Sequence, residues 1–227
     1  MSNRDCRSVS AVLSAEFKIE WRRPVAFVSA ALFSLVVLST QALVLPELAV
    51  GRTDMACAVF FISAFFAALL SEHSRIAREQ KNGVPCILAL SSSSAFSIYL
   101  GKVVMSFILI CLIEAGLLPF LVGFYNLPLE KSLVAVIGMG LLANFALACL
   151  MTLLGATASS WQGMRGALGL PLAILPLALP VLATVAIGAG RALSDLPFIS
   201  HVKLLLAADL SFWTVGVLSY GKLLGRQ

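Results

Sequence analysis

Apolar residues gather into six long runs, near residues 25–45, 53–70, 103–125, 133–154, 167–189 and 204–221, with short charged or Pro/Gly-bearing joints between them. Each run approaches the ~20 residues that a helix needs to cross the hydrocarbon core of a bilayer. The pattern predicts an all-α membrane protein with six transmembrane helices in one domain, 25–227. A polar segment, 1–24, precedes the first run. That run starts too late, and is too long, for the ~7–15-residue apolar core of a cleaved signal peptide, so it is expected to stay as a span.

Within the polar segment, Val9, Val12, Leu13, Phe17 and Trp21 recur at spacings of three and four, while Ser10, Ser14, Lys18 and Arg22 lie elsewhere. This predicts an amphipathic interfacial helix with Trp21 at headgroup level and its cations toward anionic lipid. Pro24 suits the first turn of the span that follows. After the second run the charges of Glu72, His73, Arg75, Arg78, Glu79 and Lys81 predict that the helix continues beyond the bilayer, with Arg75 and Glu79 paired at i,i+4. Asn82-Gly83 reads as its stop, and Pro85 follows. A short apolar run, Cys86 to Leu90, and the Ser91–Ser94 tract lead into the third span. This is the largest joint on its side of the membrane. Glu72, Arg75, Arg78, Glu79 and Gly83 are expected to build a partner-docking loop, and a solvated helix end is the plainer alternative.

Residues 125–128 (Tyr-Asn-Leu-Pro) predict a tight turn between the third and fourth spans, and Gly155 to Gly166 join the fourth to the fifth. Pro171, Pro176 and Pro180 predict that the fifth span is kinked or broken and packed inside the bundle, where neighbours can satisfy freed carbonyls. Glu114 and Asn144 fall near the middle of the third and fourth spans, so an interhelical hydrogen bond is expected. Asp209 falls in the outer third of the sixth, at the depth of Thr40 and Gln41 in the first. A charge at the bilayer centre costs roughly 2.5–3.5 kcal/mol on insertion scales, so these groups should face inward. They can serve as structural glue, or as part of a path or switch.

Composition agrees: 60% of residues are hydrophobic and 12% charged, against ~25% charged in soluble domains, and mean hydropathy is +0.99. Charge position then orients the bundle. Arg4, Arg7, Lys18, Arg22, Arg23, Arg75, Arg78, Lys81, Lys102, Arg165, Lys222 and Arg226 flank the spans on one side. Only Arg52, Lys131, Arg191 and Lys203 flank them on the other. The positive-inside rule therefore places both termini in the cytoplasm. The formal charge of +5 is a topology signal and does not point to nucleic acid.

The five cysteines are scattered without the spacing of a disulfide framework, a zinc site or covalent haem attachment. No P-loop or HExxH pattern occurs, and His73 and His201 stand far apart. His201 opens the sixth span at the outer face and could ligate haem iron, though a polar anchor is the simpler reading. No catalytic group and no directly bound cofactor or metal is expected.

The order of parts resembles the ABC-2 class of exporter permeases and, within it, the CcmB family, the membrane subunit of the haem-export or cytochrome c maturation ABC complex. The resemblance runs from about Glu16 to the last span. Its most specific segment is Arg165-Gly166 followed by Leu175-Pro176-Leu177-Ala178-Leu179-Pro180, similar to an R-G…L-P-L-x-I-P signature. The stretch Glu72 to Gly83, followed by Lys102, is a second match. Here the chain departs from the family pattern: Gly83-Val84-Pro85-Cys86 stands for Gly-x-Leu-Glu, serines replace a proline, and the stretch is one residue longer. The resemblance implies an ABC-2-type permease fold in a bacterial inner membrane or related organelle. It also implies a separate CcmA-type ATPase, CcmC-, CcmD- and CcmE-type partners, a homodimer within the complex, and haem as a transported or partner-held ligand.

None of the six runs contains Lys or Arg, which a conduit for the two haem propionates would call for. The expected role is therefore to relay ATP-driven motion to the periplasmic side. Competing expectations are an ABC-2 permease for a lipid, drug or glycan, and an assembly scaffold that works without an ATPase.

Overall fold

The computed structural model describes residues 3–22, 24–44, 52–84, 87, 94–125, 132–159 and 164–224; side chains at 3–8, 44, 52, 158–159, 164–172 and 224 fall outside that description. The described residues form seven long helices: α1 Asn3–Arg22, α2 Val25–Val44, α3 Arg52–Lys81, α4 Ala95–Tyr125, α5 Leu133–Ser159, α6 Met164–Leu193 and α7 Ile199–Leu224. Six of them, α2 to α7, are long and apolar enough to cross a membrane. The expected all-α membrane architecture stands. The 125–128 turn and the 86–93 stretch lie largely outside the described residues.

Several helices overrun the apolar runs that announced them. At 30 residues, α3 is about 45 Å long at ~1.5 Å per residue, more than the ~30 Å hydrocarbon core requires. It runs through its charged extension to Lys81, and Gly83 just beyond, with a φ of +65°, is its left-handed C-terminal cap. Helix α4 begins eight residues before its apolar run because Ser94 caps it, its Oγ accepting from the Ser97 amide at 3.2 Å. Between α5 and α6 the joint is shorter than expected, since α5 reaches Ser159 and α6 starts at Met164.

The fifth span, expected to be kinked or broken, is not broken, and its expected packing inside the bundle holds. Helix α6 is one 30-residue helix through all three prolines. Pro176 and Pro180 are exposed, while Ile174, Ala178, Val181, Leu182 and Val185 form a buried stripe. That stripe packs on α3 and α5, so tertiary packing holds the helix where single backbone bonds are lost.

Helices α3, α5 and α6 form the enclosed centre, and α2 and α7 expose most of their surface. Small residues permit the close approach that lipid-embedded helices rely on. At Gly190, a Cβ would stand 2.7 Å from Asp54 Cα, so α3 and α6 touch backbone to backbone. At the other end of the bundle Gly216 admits Tyr99, which stacks between Trp213 (centroids 5.7 Å) and Tyr220 (5.2 Å) and fastens α4 to α7.

Candidate functional site

The charged residues of three helices meet at one end of the bundle. Helix α1 carries Glu16 and Glu20 one turn apart, and α3 answers with Arg75 and Arg78 in its extension. Arg75 is 6% exposed and uses its guanidinium as a fork. Nη1 donates to Glu16 Oε2 at 2.9 Å. Nη2 donates to Glu72 Oε1 at 2.5 Å and to Ser106 Oγ of α4 at 2.7 Å. Lys102 of α4 pairs with Glu79 at 2.5 Å and with Glu16 at 3.5 Å. Arg78 pairs with Glu20. Glu16 is therefore held by cations from two different helices, and Val12 packs against Gly101 beside it.

This clamp is largely dry. Burial pushes the Glu16 carboxyl above its ordinary range, while Arg75 and Lys102 pull it down. Removing either cation would leave burial less opposed and favour the protonated acid. Hydrogen-bonding capacity is left over: Glu20 Oε1, Arg75 Nε and Arg78 Nε are buried without a partner among the described residues.

The geometry corrects three sequence expectations. Arg75 pairs with Glu72 at i,i+3 and with Glu16, whereas Glu79 is taken by Lys102. Glu72 and Arg75 are buried and engaged inside the chain, so in this conformation they offer no docking surface. Among the described residues there, the exposed ones are Ala77, Gln80, Lys81, Asn82 and Ile87. On α1 the side packed against the bundle carries Val12, Glu16 and Glu20, and Phe17 and Trp21 stack at 5.8 Å on its exposed side. Sequence reasoning missed Glu16 and Glu20. The available signal was a pair of like charges four residues apart on a helix, with an opposite pair, Arg75 and Arg78, three apart on α3.

A second polar centre lies in the middle of the bundle. Asn144 Nδ2 of α5 donates to Glu114 Oε2 of α4 at 2.6 Å, as depth matching suggested, and approaches Cys111 Sγ at 3.7 Å. Asp209 of α7 faces inward as expected, but not at the expected depth. Because α7 begins at Ile199, Asp209 sits about 15 Å down the helix, beside the Ala146 backbone of α5. That is near mid-span. Its Oδ1 has no hydrogen-bond partner among the described residues. Thr40 and Gln41 are exposed on α2. Arg165 and Gly166 lie in the first turn of α6, with side chains outside the described residues; Pro176 and Pro180 sit farther along that helix. His201 packs against Gly188, whose Cβ would stand 2.9 Å from His201 Cβ. Among the described residues no group of three or more His, Cys, Asp or Glu could hold a metal ion.

No curated protein matches the chain. The family model described as CcmB protein matches residues 7–223, nearly its whole length. That family is a permease component of the haem-exporting cytochrome c maturation ABC transporter, located in the bacterial inner membrane, and it works with an ATPase, CcmA, and the rest of the Ccm system. Six membrane-length helices and a match that leaves out only the ends make this chain a member of the CcmB family.

Proposed function

We propose that this chain couples ATP hydrolysis in its ATPase partner to haem delivery, or to release of a haem-loaded chaperone, on the periplasmic side, without itself conducting haem. The observation that carries this reading is the contrast in charge. Three cations and four carboxylates lock α1, α3 and α4 together at one end, whereas the six apolar runs hold no Lys or Arg. The basic flanks place the clamp end, and both termini, in the cytoplasm.

Nucleotide chemistry then belongs to the CcmA-type subunit. That subunit contacts the exposed tip of α3, around Gln80, Lys81, Asn82 and Ile87, and the buried clamp passes the displacement to α1 and α4. CcmC-, CcmD- and CcmE-type proteins and a second copy of this chain complete the complex, and haem stays with a partner. Phe17 and Trp21 hold α1 at the lipid surface.

Sealed vesicles containing only this protein and its ATPase subunit test the reading. ATP is expected to be hydrolysed without haem crossing the bilayer, and ATP-dependent haem movement would overturn it.

A further inference from the structure

A cleft of about 260 Å³ lies between α3, α4 and α5. Phe60, Phe61, Leu118, Val136, Ile137 and Leu141 wall it with hydrocarbon, and Glu114 is its one charged group among the described residues. Gly140 lines it beside the acid, a Cβ there standing 3.5 Å from Glu114 Oε2 and from Phe61 Cε1. Glu114 and Asn144 each lie eleven residues from the nearer end of their helices, Tyr125 and Leu133, or about 17 Å along the axis. Such a depth is near the middle of a ~30 Å core and beyond phospholipid headgroups.

The polar inventory of the cleft is short. Asn144 supplies one donor to Glu114 Oε2, and no described Lys or Arg forms an ion pair with this acid. A carboxyl has room for about four acceptor contacts. An occupant that brings an N–H or O–H to Glu114 and hydrocarbon to the walls would satisfy both parts of the site at once. We infer that this cleft binds a small membrane-soluble amphiphile, a hydrocarbon body bearing one hydroxyl or amine that donates to Glu114. Size sets the upper bound: a cavity of about 150 Å³ holds one benzene ring. The cleft therefore takes a short alkyl chain or a single substituted ring. Four methine-linked pyrrole rings with two propionates fit neither its volume nor its sign, so the site is distinct from the family's haem cargo and stands independently of the coupling role proposed above.

Cys111 lines the same cleft and is partly exposed, whereas Cys57 and Cys149 are buried and do not line it. The full-length protein in nanodiscs of neutral lipid can be alkylated with N-ethylmaleimide and each cysteine followed by peptide mass spectrometry. Octylamine, octanol and octanoate are compared at equal membrane concentration. Octylamine or octanol is expected to slow Cys111 alkylation about fivefold at about four times its dissociation constant, because free sites fall as 1 + [L]/Kd. Octanoate is expected to have no effect, and Cys57 and Cys149 should not respond to any of the three. Protection by octylamine alone identifies an amine ligand; equal protection by octanol shows that a hydroxyl suffices. Glu114→Gln should abolish any advantage of octylamine over octanol. Ala115→Phe, which fills the cleft from the exposed side of α4, should remove ligand protection even if Glu114→Gln folds poorly. Equal protection by octanoate, protection unchanged in Ala115→Phe, or no protection by any of the three would overturn the inference.

Discussion

The clamp and the mid-bundle acids are both polar clusters in an apolar protein, yet they are built on opposite terms. In the clamp, Arg75 reaches carboxylates from two helices and a serine from a third, so each charge is met by another charge. At mid-bundle, Glu114 has an amide for a partner and Asp209 presents an oxygen without one. A paired network can transmit force because moving one member leaves its partners buried and unpaired, at several kcal/mol per ion. An isolated acid has no such leverage. It sets local packing or meets a ligand.

Mutations should separate the two regions. Arg75→Ala should have the largest effect, lowering stability by about 3–5 kcal/mol because Glu16 and Glu72 lose a buried counter-charge. Thermal unfolding of the purified protein and faster proteolysis within α1 would report it. Arg75→Lys should recover only part of the loss, since one ammonium cannot reproduce the guanidinium fork. Asn144→Leu comes next, at about 1–3 kcal/mol, because it leaves Glu114 Oε2 without its donor; Glu114→Gln should be milder by the same unfolding assay, as an amide oxygen can still accept.

Gly83→Ala should cost about 1–2 kcal/mol. Nothing lies within 4 Å of a Cβ at Gly83, so the cost comes from the backbone alone, and hydrogen exchange should report fraying confined to the end of α3. Asp209→Asn should be the mildest of the series, because an amide oxygen can still accept from the Ala146 backbone and Oδ1 has no partner among the described residues to lose. A large loss there would place Asp209 with the clamp and erase the contrast.

The two regions were also unequally legible in the sequence. Spans could be read because twenty consecutive apolar residues integrate to a strong signal, and the Glu114–Asn144 bond followed from comparing depths in neighbouring spans. The clamp was only half visible. Charges after Leu70 announced the extension of α3, but Arg75 finds Glu16 across 59 residues of chain. Periodicity assigns a residue to a face without saying what covers that face. The continuity of α6 through Pro176 and Pro180 was hidden because local proline chemistry lost to packing of the opposite stripe. Asp209 was placed too shallow because hydropathy starts the span at 204 while the helix begins at Ile199.

The most direct test of the coupling account reverses one clamp pair. Arg78 and Glu20 join only α3 to α1, so Arg78→Glu should set two carboxylates against each other and loosen the Glu20 end of α1, while Glu16 stays held by Arg75 and Lys102. In cells, the ATPase subunit is expected to co-purify still, while covalently bound haem in the membranes falls severalfold. Adding Glu20→Arg restores the opposite charges, with a coupling energy of about 0.5–3 kcal/mol, and should bring the haem stain back. Normal haem staining in Arg78→Glu, or a double reversal as inactive as the single, would contradict the claim that this clamp carries the motion.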